Sequence, residues 1–572
     1  MKRKNILTIT AALSIASVMS ITAFAAYTAQ DVCNLQDVLF NRSEPVAEQD
    51  LNNDGIVNGY DLGLMKKQMF ADTGELKESS YAATEQFVKL MGRHLVQDGT
   101  TWLLQSGSAA EFTVTGTTAS VTLAGDNGRT SDVNYRPRYG VYVDGELITD
   151  TTIAEEEITI PLFDGSVSRT AKVKVMLLSE AMYGGIGVKS VDVTSSAAVP
   201  VVPAPKGEYC IEFIGDSITC AYGVEGTSSS DSFKTTTENF SKSYAYLAAQ
   251  QLGFDYSAVS YSGHGIVSGY SSGDKNTESL VPDYYTLVSK YWEYNTHEWD
   301  FTKRENDVVV INLGTNDINY VTAEPETRGA EFTEGYVNFL KQIRGCNPHA
   351  YIICTLGTMG GEDLYPYIEE AVAQRKADGD MEIMCYASVV QNGNADGYGS
   401  DWHPSAVTQQ NSAYVMADKI CQALGIESSQ IGLDMAVDAE YSIYKNTDGG
   451  ANASDFLAYD KSYHINTVTG GSAPGDIEAL LSGIELRAGA EYRIEFEYTS
   501  GNPFDMPVCV RSSQTPSITY FEDIIPASSS REKYSATFTV DAADPSAQIA
   551  FGLGGVDYNN VSLYNIKLVK TK

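Results

Sequence analysis

The sequence predicts a multidomain chain. Its centre is a three-layer α/β/α domain built on a parallel sheet, flanked by two jelly-roll-like β-sandwiches and preceded by a small helical segment. Three observations carry this expectation. The chain has 572 residues, and single hydrophobic cores stop growing beyond roughly 250 to 300 residues. Residues 208–425 alternate continuous apolar runs with helical stretches, the pattern of strands covered on both faces. On either side of that region apolar and polar residues alternate with period two, the pattern of half-buried antiparallel strands.

The first element is a leader. Lys2, Arg3 and Lys4 precede an apolar run from Ile6 that ends in Ala23-Phe24-Ala25, which reads as a signal peptide over residues 1–26. Thr and Ser interrupt the run and no basic stop-transfer cluster follows, so the expectation is a secreted chain with no membrane association after cleavage. Acidic residues exceed basic ones by 74 to 39, for a net charge of −35. Such a surface disfavours a phosphate backbone, excludes nucleic acid as the expected partner, and suits a neutral polymer or a cation. The eight cysteines are sparse and show no metal or redox spacing, and most are expected as buried thiols.

Residues 27–75 carry the cation chemistry. Asp50, Asn52, Asp54, Asn58 and Asp61 stand at positions 1, 3, 5, 9 and 12 of a loop, with Gly55 at the sharp turn and the Ile56 carbonyl at position 7. A hard cation such as Ca²⁺ takes several oxygen ligands in this spacing. A helix is expected from Leu62 to Phe70. Thr28, Asp31, Val32, Leu35, Leu39 and Phe40 repeat Asn58, Asp61, Leu62, Met65, Met69 and Phe70, although this first copy lacks loop positions 1, 3 and 5. The duplicated loop and helix resembles a type I dockerin, which implies a cohesin of a scaffoldin as partner and attachment to a cellulosome.

The first sandwich is expected over residues 82–195, from runs such as Glu111-Phe-Thr-Val-Thr and Lys172-Val-Lys-Val-Met-Leu. Residues 196–207, rich in Ala, Val and Pro, read as a linker because proline cannot join a central sheet. The α/β domain follows over 208–425, with strands at Ile211–Ile214, Val308–Leu313, Tyr351–Leu356 and Ile383–Ala387. The last sandwich is expected over 432–572, from runs such as Glu491-Tyr-Arg-Ile-Glu-Phe-Glu-Tyr.

Four segments of the α/β domain carry chemistry. Gly215-Asp216-Ser217 follows its first strand, where ligands bind in open parallel sheets. Gly263-His264-Gly265 follows the second, Gly314-Thr315-Asn316-Asp317 the third, and Asp401-Trp402-His403-Pro404 comes late. In this order the segments resemble the SGNH hydrolases. The resemblance implies Ser217 as nucleophile, His403 as its base, and an oxyanion hole formed by the Ser217 and Gly263 amides with the Asn316 side chain. A serine hydroxyl needs such a base, and the tetrahedral intermediate needs such donors. The wider family commonly has an Asp three residues before the His. That position is Ser400 here, and Asp401 lies two before, so Asp401 is a doubtful triad acid and a Ser–His dyad oriented by a backbone carbonyl is the preferred hypothesis. Trp402 is a candidate for stacking on a sugar ring. His264 is a candidate substrate contact with a structural role as its alternative. His94, His297, His349 and His464 show no ligand spacing.

Phe87-Val-Lys-Leu-Met-Gly-Arg93, Leu177-Leu-Ser-Glu180-Ala181 and Phe213-Ile-Gly-Asp-Ser-Ile-Thr-Cys220-Ala-Tyr-Gly223 resemble family 2 of the carbohydrate esterases over about residues 82–425. That implies deacetylation of xylan- or mannan-type polysaccharide with no cofactor for catalysis, and sugar 6-O-acetyl groups as a preference. Leu486-Arg-Ala-Gly-Ala-Glu-Tyr492 and Asn559-Asn-Val-Ser-Leu563 resemble noncatalytic carbohydrate-binding modules, with a plain spacer as the alternative. Two other functions stand beside the deacetylase: a noncatalytic carbohydrate-binding and cohesin-docking protein, and an esterase of lipid or aryl esters.

Overall fold

The computed structural model describes residues 29–40, 43–46, 49–51, 56–69, 72–459 and 461–572. The expected signal peptide and the expected calcium ligands Asn52 and Asp54 lie outside these residues. The chain forms two compact units, one reaching to Glu427 and one running from Ser428 to Lys572.

At the heart of the first unit is a five-stranded parallel sheet: β1 (Cys210–Gly215), β2 (Asp255–Ser260), β3 (Val308–Asn312), β4 (Tyr351–Leu356) and β5 (Ile383–Ala387), in the order β2-β1-β3-β4-β5. Every residue of β1 is buried, because helices cover both faces. Ile211 and Phe213 point into one apolar cluster with Tyr244, Ala248, Ala413 and Met416. Ile214 points into the other with Phe332, Tyr336 and Ile368. This is why the strands read as unbroken apolar runs. Strand order reverses at β1, so the C-terminal ends of β1, β2 and β3 converge on one crevice.

The β-rich region before it differs from the expectation in its bounds. Its strands form one hydrogen-bonded set of ten, and the long strands Ala109–Gly125 and Glu157–Leu177, paired along their length through bulges at Gly116–Thr118 and Ala119–Ser120, send residues from both of their halves into a single apolar cluster. The region begins at Asp72 instead of 82: the polar strand Asp72–Ala82 pairs with Ile186–Ala197. The segment expected as a linker also joins the sheet, with Val201–Pro203 pairing with Phe112–Val114. Proline is accommodated there because this short strand pairs on one side only and needs no second ladder bond. The helices Ala29–Leu39 and Gly59–Met69 bury Val32, Leu35 and Met65 against Val202 of that strand.

The β-rich region and the hydrolase share buried polar contacts. Arg93 pairs with Glu212 of β1 at 3.0 Å, both fully buried. Gln105 Nε2 donates to the Tyr261 hydroxyl at 2.7 Å, and the Tyr256 hydroxyl donates to the Gly107 carbonyl at 2.9 Å. Each side therefore depends on the other to satisfy its buried groups.

The second unit is a sandwich of two five-stranded antiparallel sheets around a single apolar cluster that includes Tyr463, Ile477, Leu481, Phe496, Val508, Ile549 and Phe551. All eight cysteines are free thiols, with Cys210, Cys220, Cys354 and Cys421 buried.

Candidate active site

Ser217 begins the four-residue helix Ser217–Cys220, directly beyond β1. Asp216 caps that helix through a bond from the Ile218 amide at 3.0 Å. Burial, reinforced by the Asp317 and Glu180 charges, pushes the Asp216 carboxyl up to about 7.

His403 reaches Ser217 from a loop 186 residues later, with Nε2 2.9 Å from Oγ. Close approach of two loops makes this possible. Ser400 N–H donates to the Gly223 carbonyl at 2.9 Å, and a Cβ on Gly223 (φ +57°) would sit 2.4 Å from that of Ser400. The loop itself is strained, since Asp401 (φ +49°) and Trp402 (φ +64°) both occupy the left-handed region, at a cost of order 1–3 kcal/mol per residue. The strain turns the Ser400 and Asp401 carbonyls onto His403 Nδ1 at 3.2 and 3.1 Å. Both neighbours are acceptors, so the proton resides on Nδ1 and the Nε2 lone pair faces the serine hydroxyl. Burial pulls the imidazole down to about 4 against the opposing pull of these carbonyls and the Asp401 charge, which keeps it neutral, and thus a base, at neutral pH.

The Asp401 carboxylate makes its contacts elsewhere. It accepts the Tyr222 hydroxyl at 2.8 Å and the Phe233 amide at 3.2 Å. Tyr222 in turn stacks on the His403 ring, centroids 4.0 Å apart, and heads an aromatic ladder through Phe233 to Tyr183 and Tyr135. Asp401 thus touches the imidazole only through its own carbonyl and through the ring that it holds.

Gly263 (φ +75°) and Asn316 complete the crevice from the ends of β2 and β3. The Ser217 and Gly263 amides donate to no backbone carbonyl of the described residues. Asn316 Nδ2 lies 2.9 Å from the His264 carbonyl and 3.2 Å from Asp216 Oδ2. It is thereby aimed along the same loop. Asp317 fixes that loop further by accepting the Ile266, Val267 and Ser268 amides. Burial lifts its own carboxyl to about 6.

The surroundings of His264 fit the structural role that the sequence offered beside a substrate contact. Its side chain is buried, Nδ1 bonds the Ser262 carbonyl at 2.9 Å, and Nε2 meets the Lys290 ammonium. Flanking glycines bring its loop near Ser217, but its ring turns inward. Trp402, by contrast, is 58% exposed beside His403, edge-on to Tyr398. Near the N-terminus, Asp61 is buried and accepts the Leu51 and Asn58 amides at 2.8 and 2.9 Å, while the Asn58 side chain donates to the Ile56 carbonyl at 3.1 Å. Asp61 therefore closes the described part of that loop. Asp50 is half-buried at its start.

Sequence reasoning missed Tyr222, Asp317 and Glu180. Asp317 lies next to Asn316 in the motif and could have been read as a turn anchor. Tyr222 and Glu180 lie in segments that carry the family resemblance, but nothing local marks the contacts their side chains make.

Comparison with known proteins gives consistent likenesses. Residues 213–410 match the GDSL-like Lipase/Acylhydrolase family, and residues 90–205 match the Carbohydrate esterase 2 N-terminal family. The chain is 33% identical over 325 residues to a cellulase/esterase CelE of Acetivibrio thermocellus, covering 56% of this chain and 37% of that protein. It is 33% identical over 245 residues to an acetylxylan esterase / glucomannan deacetylase of Cellvibrio japonicus, covering 41% of this chain and 64% of that one. The chain thus spans less than two thirds of the length of either relative. A solved family two carbohydrate esterase from Clostridium thermocellum, in complex with cellohexaose, is 30% identical and superposes with a TM-score of 0.52, over 59% of this chain and 99% of that one.

Proposed function

The chain belongs to family two of the carbohydrate esterases, and from that premise we propose that it is a serine esterase removing O-acetyl groups from plant cell-wall polysaccharide of the xylan or mannan type. The observation that carries this reading is the 2.9 Å contact between Ser217 Oγ and His403 Nε2, with Nδ1 held by two backbone carbonyls. In the forward step Nε2 takes the serine proton as Oγ attacks the acetyl carbonyl. The imidazolium then protonates the departing sugar oxygen, leaving an acetyl-serine that water hydrolyses by the same base. The Ser217 and Gly263 amides receive the oxyanion, joined by an Asn316 N–H that exchanges its longer 3.2 Å bond to Asp216 Oδ2 for the substrate oxygen. The carbonyls of Ser400 and Asp401 orient the imidazole, the task an Asp performs in a triad. Trp402, exposed beside the base, offers a face for a sugar ring. The cellohexaose in the Clostridium thermocellum structure supports a polysaccharide chain as ligand.

The same reading extends to the rest of the chain. The leader pattern supports secretion. The dockerin-like repeat supports docking to a cohesin in a cellulosome. The donors Asp50, Asn52, Asp54, Ile56, Asn58 and Asp61 are all oxygen, which fits a hard cation, and these residues would hold Ca²⁺ to shape the loop. The C-terminal sandwich is read as a carbohydrate-binding module, supported by its exposed Phe456 and Tyr558.

The test is acetate release from acetylated xylan and acetylated glucomannan by the full chain, beside Ser217→Ala. The expected result is steady release by the parent and a drop of about 10⁴-fold or more in the variant. Equal release by both would overturn the serine mechanism, and binding without release by the parent would leave a carbohydrate-binding protein.

A further inference from the structure

Glu180 follows the long strand Glu157–Leu177 of the β-rich region, yet its side chain lies under the hydrolase crevice, fully buried. Oε2 accepts the Ser262 amide at 2.8 Å and the Cys220 thiol at 3.7 Å. Ser262 immediately precedes Gly263, and Cys220 ends the helix that Ser217 begins. One carboxyl therefore ties the segment carrying an oxyanion amide to the helix carrying the nucleophile.

Glu180 is itself anchored. Its backbone amide donates to Glu238 Oε2 at 2.9 Å, and the Glu238 carbonyl accepts Arg138 Nη1 at 2.9 Å. Arg138 also grips Asp150 and Glu225, each at 2.7 Å. The remaining oxygens, Glu180 Oε1 and Glu238 Oε1, are buried with no partner. Burial raises both carboxyls, most of all Glu238 beside the Glu180 charge, with Lys290 and Arg138 as the opposing cations. Two neighbouring carboxyls with unpaired oxygens are an expensive way to fill space. An apolar residue would serve packing better, so the acceptor at Oε2 is what such a residue would forfeit.

We infer that Glu180 is a positioning residue for the esterase: by accepting the Ser262 amide it sets Gly263 against Ser217, so that the β-rich region supplies part of the oxyanion geometry. The residue acts through the loop and does not touch substrate. This inference rests on the esterase reading above.

The test uses the full chain with Glu180→Gln, Glu180→Met and Glu180→Ala, measuring kcat and KM on 4-nitrophenyl acetate and acetylated xylan, with thermal midpoints alongside. Gln keeps an acceptor oxygen, and kcat within about threefold of the parent is expected. Met fills a similar volume without an acceptor. It is expected to fold with an unchanged or higher midpoint and to lose roughly 10- to 100-fold in kcat, with KM within twofold, because a misplaced oxyanion donor acts in the transition state. Ala is expected to follow Met in kcat while losing stability. A folded Met variant with kcat within threefold of the parent, or a Gln variant as impaired as Met, overturns the inference while leaving the esterase reading intact. A parent chain that releases no acetate overturns both.

Discussion

The two compact units solve burial in opposite ways. In the unit that carries Ser217, the charged residues Arg93, Glu180, Glu212, Asp216, Glu238 and Asp317 are buried to 1% exposure or less. In the C-terminal sandwich the most buried carboxylates among the described residues, Asp544 and Asp476, keep 6% and 8%, and strands such as Glu491–Ser500 alternate strictly between an apolar inner face and a half-exposed outer one. Desolvating a charge costs several kcal/mol before its partners repay it. A fold selected for stability alone would resemble the second unit. The first retains interior carboxyls where they fix loops: Asp317 on residues 266–268, Asp216 on the Ser217 helix, Glu180 on Ser262. The difference teaches that buried charge in the first unit serves two places, the loops of the crevice and the Arg93–Glu212 contact between the β-rich region and β1.

The sharpest way to break this comparison is at the base. His403→Ala should lower kcat on acetylated xylan by about 10⁴-fold or more, with little change in thermal midpoint, because the imidazole contributes chemistry rather than core packing. Steady-state kinetics and differential scanning calorimetry on the same preparation check both halves. The converse substitution is Leu481→Ala in the sandwich core, where Leu481 is fully buried. It should destabilise the C-terminal unit by about 2–5 kcal/mol through lost transfer energy and a residual cavity, while kcat on 4-nitrophenyl acetate stays within twofold. A kcat change that tracked the stability loss would dissolve the distinction between the units.

Proton linkage sharpens the comparison further. Asp126 and Asp216 are raised to about 7 and Asp317 to about 6, each mainly by burial. A carboxyl held above its unfolded value contributes stability that is full at acid pH and lost as pH rises through 6 to 7. His264 and His403, pulled down by burial to about 4, work the other way, contributing above pH 6.5 and losing that contribution toward pH 4. The carboxyls outnumber the imidazoles, so the first unit should melt at a higher temperature at pH 5 than at pH 8. In the second unit Asp476 is pulled down to about 2 by the Asn446 amide and the Ser472 and Ala473 amides. Its contribution is lost only as pH falls below about 4, although Asp434, raised by burial, shifts the opposite way. Two calorimetric transitions that move together between pH 5 and 8 would contradict this. Activity carries a separate signature: kcat/KM should hold down to about pH 5 and fall through pH 4 as His403 protonates.

What could be read in the sequence follows from how local each signal is. The strands at Val308–Asn312 and Tyr351–Leu356 were legible because burial on both faces forces unbroken apolar runs. The Ser217, Gly263, Asn316 and His403 segments were legible because each follows a strand end or an element boundary, where short motifs have fixed geometry. Asp72–Ala82 was not, since an edge strand with one exposed face shows polar residues without alternation. Val201–Pro203 was hidden by its proline, which is harmless where one ladder bond suffices. The role of Glu180 is set by a contact across 82 positions, and His264 faces inward only because Lys290 and Ser262 meet it there. No periodicity records such contacts.

Asp401 offers the finest test, because sequence spacing and structure bear on it differently. Its carboxylate is spent on the Tyr222 hydroxyl and the Phe233 amide, while its carbonyl and that of Ser400 hold His403 Nδ1. Asp401→Asn preserves the carbonyl and leaves a side-chain oxygen that still accepts from Tyr222. It removes the negative charge near the imidazole, one of the smaller influences on that ring. The expected loss in kcat is therefore under tenfold, against roughly 10⁴-fold when a true triad Asp is neutralised. Tyr222→Leu, which removes the stacked ring and strands the carboxylate, should cost more than Asp401→Asn. If Asp401→Asn instead approached the 10⁴-fold loss, the backbone carbonyls would be insufficient to orient the base, and the loop would have to rearrange during turnover to bring the Asp401 carboxylate to Nδ1.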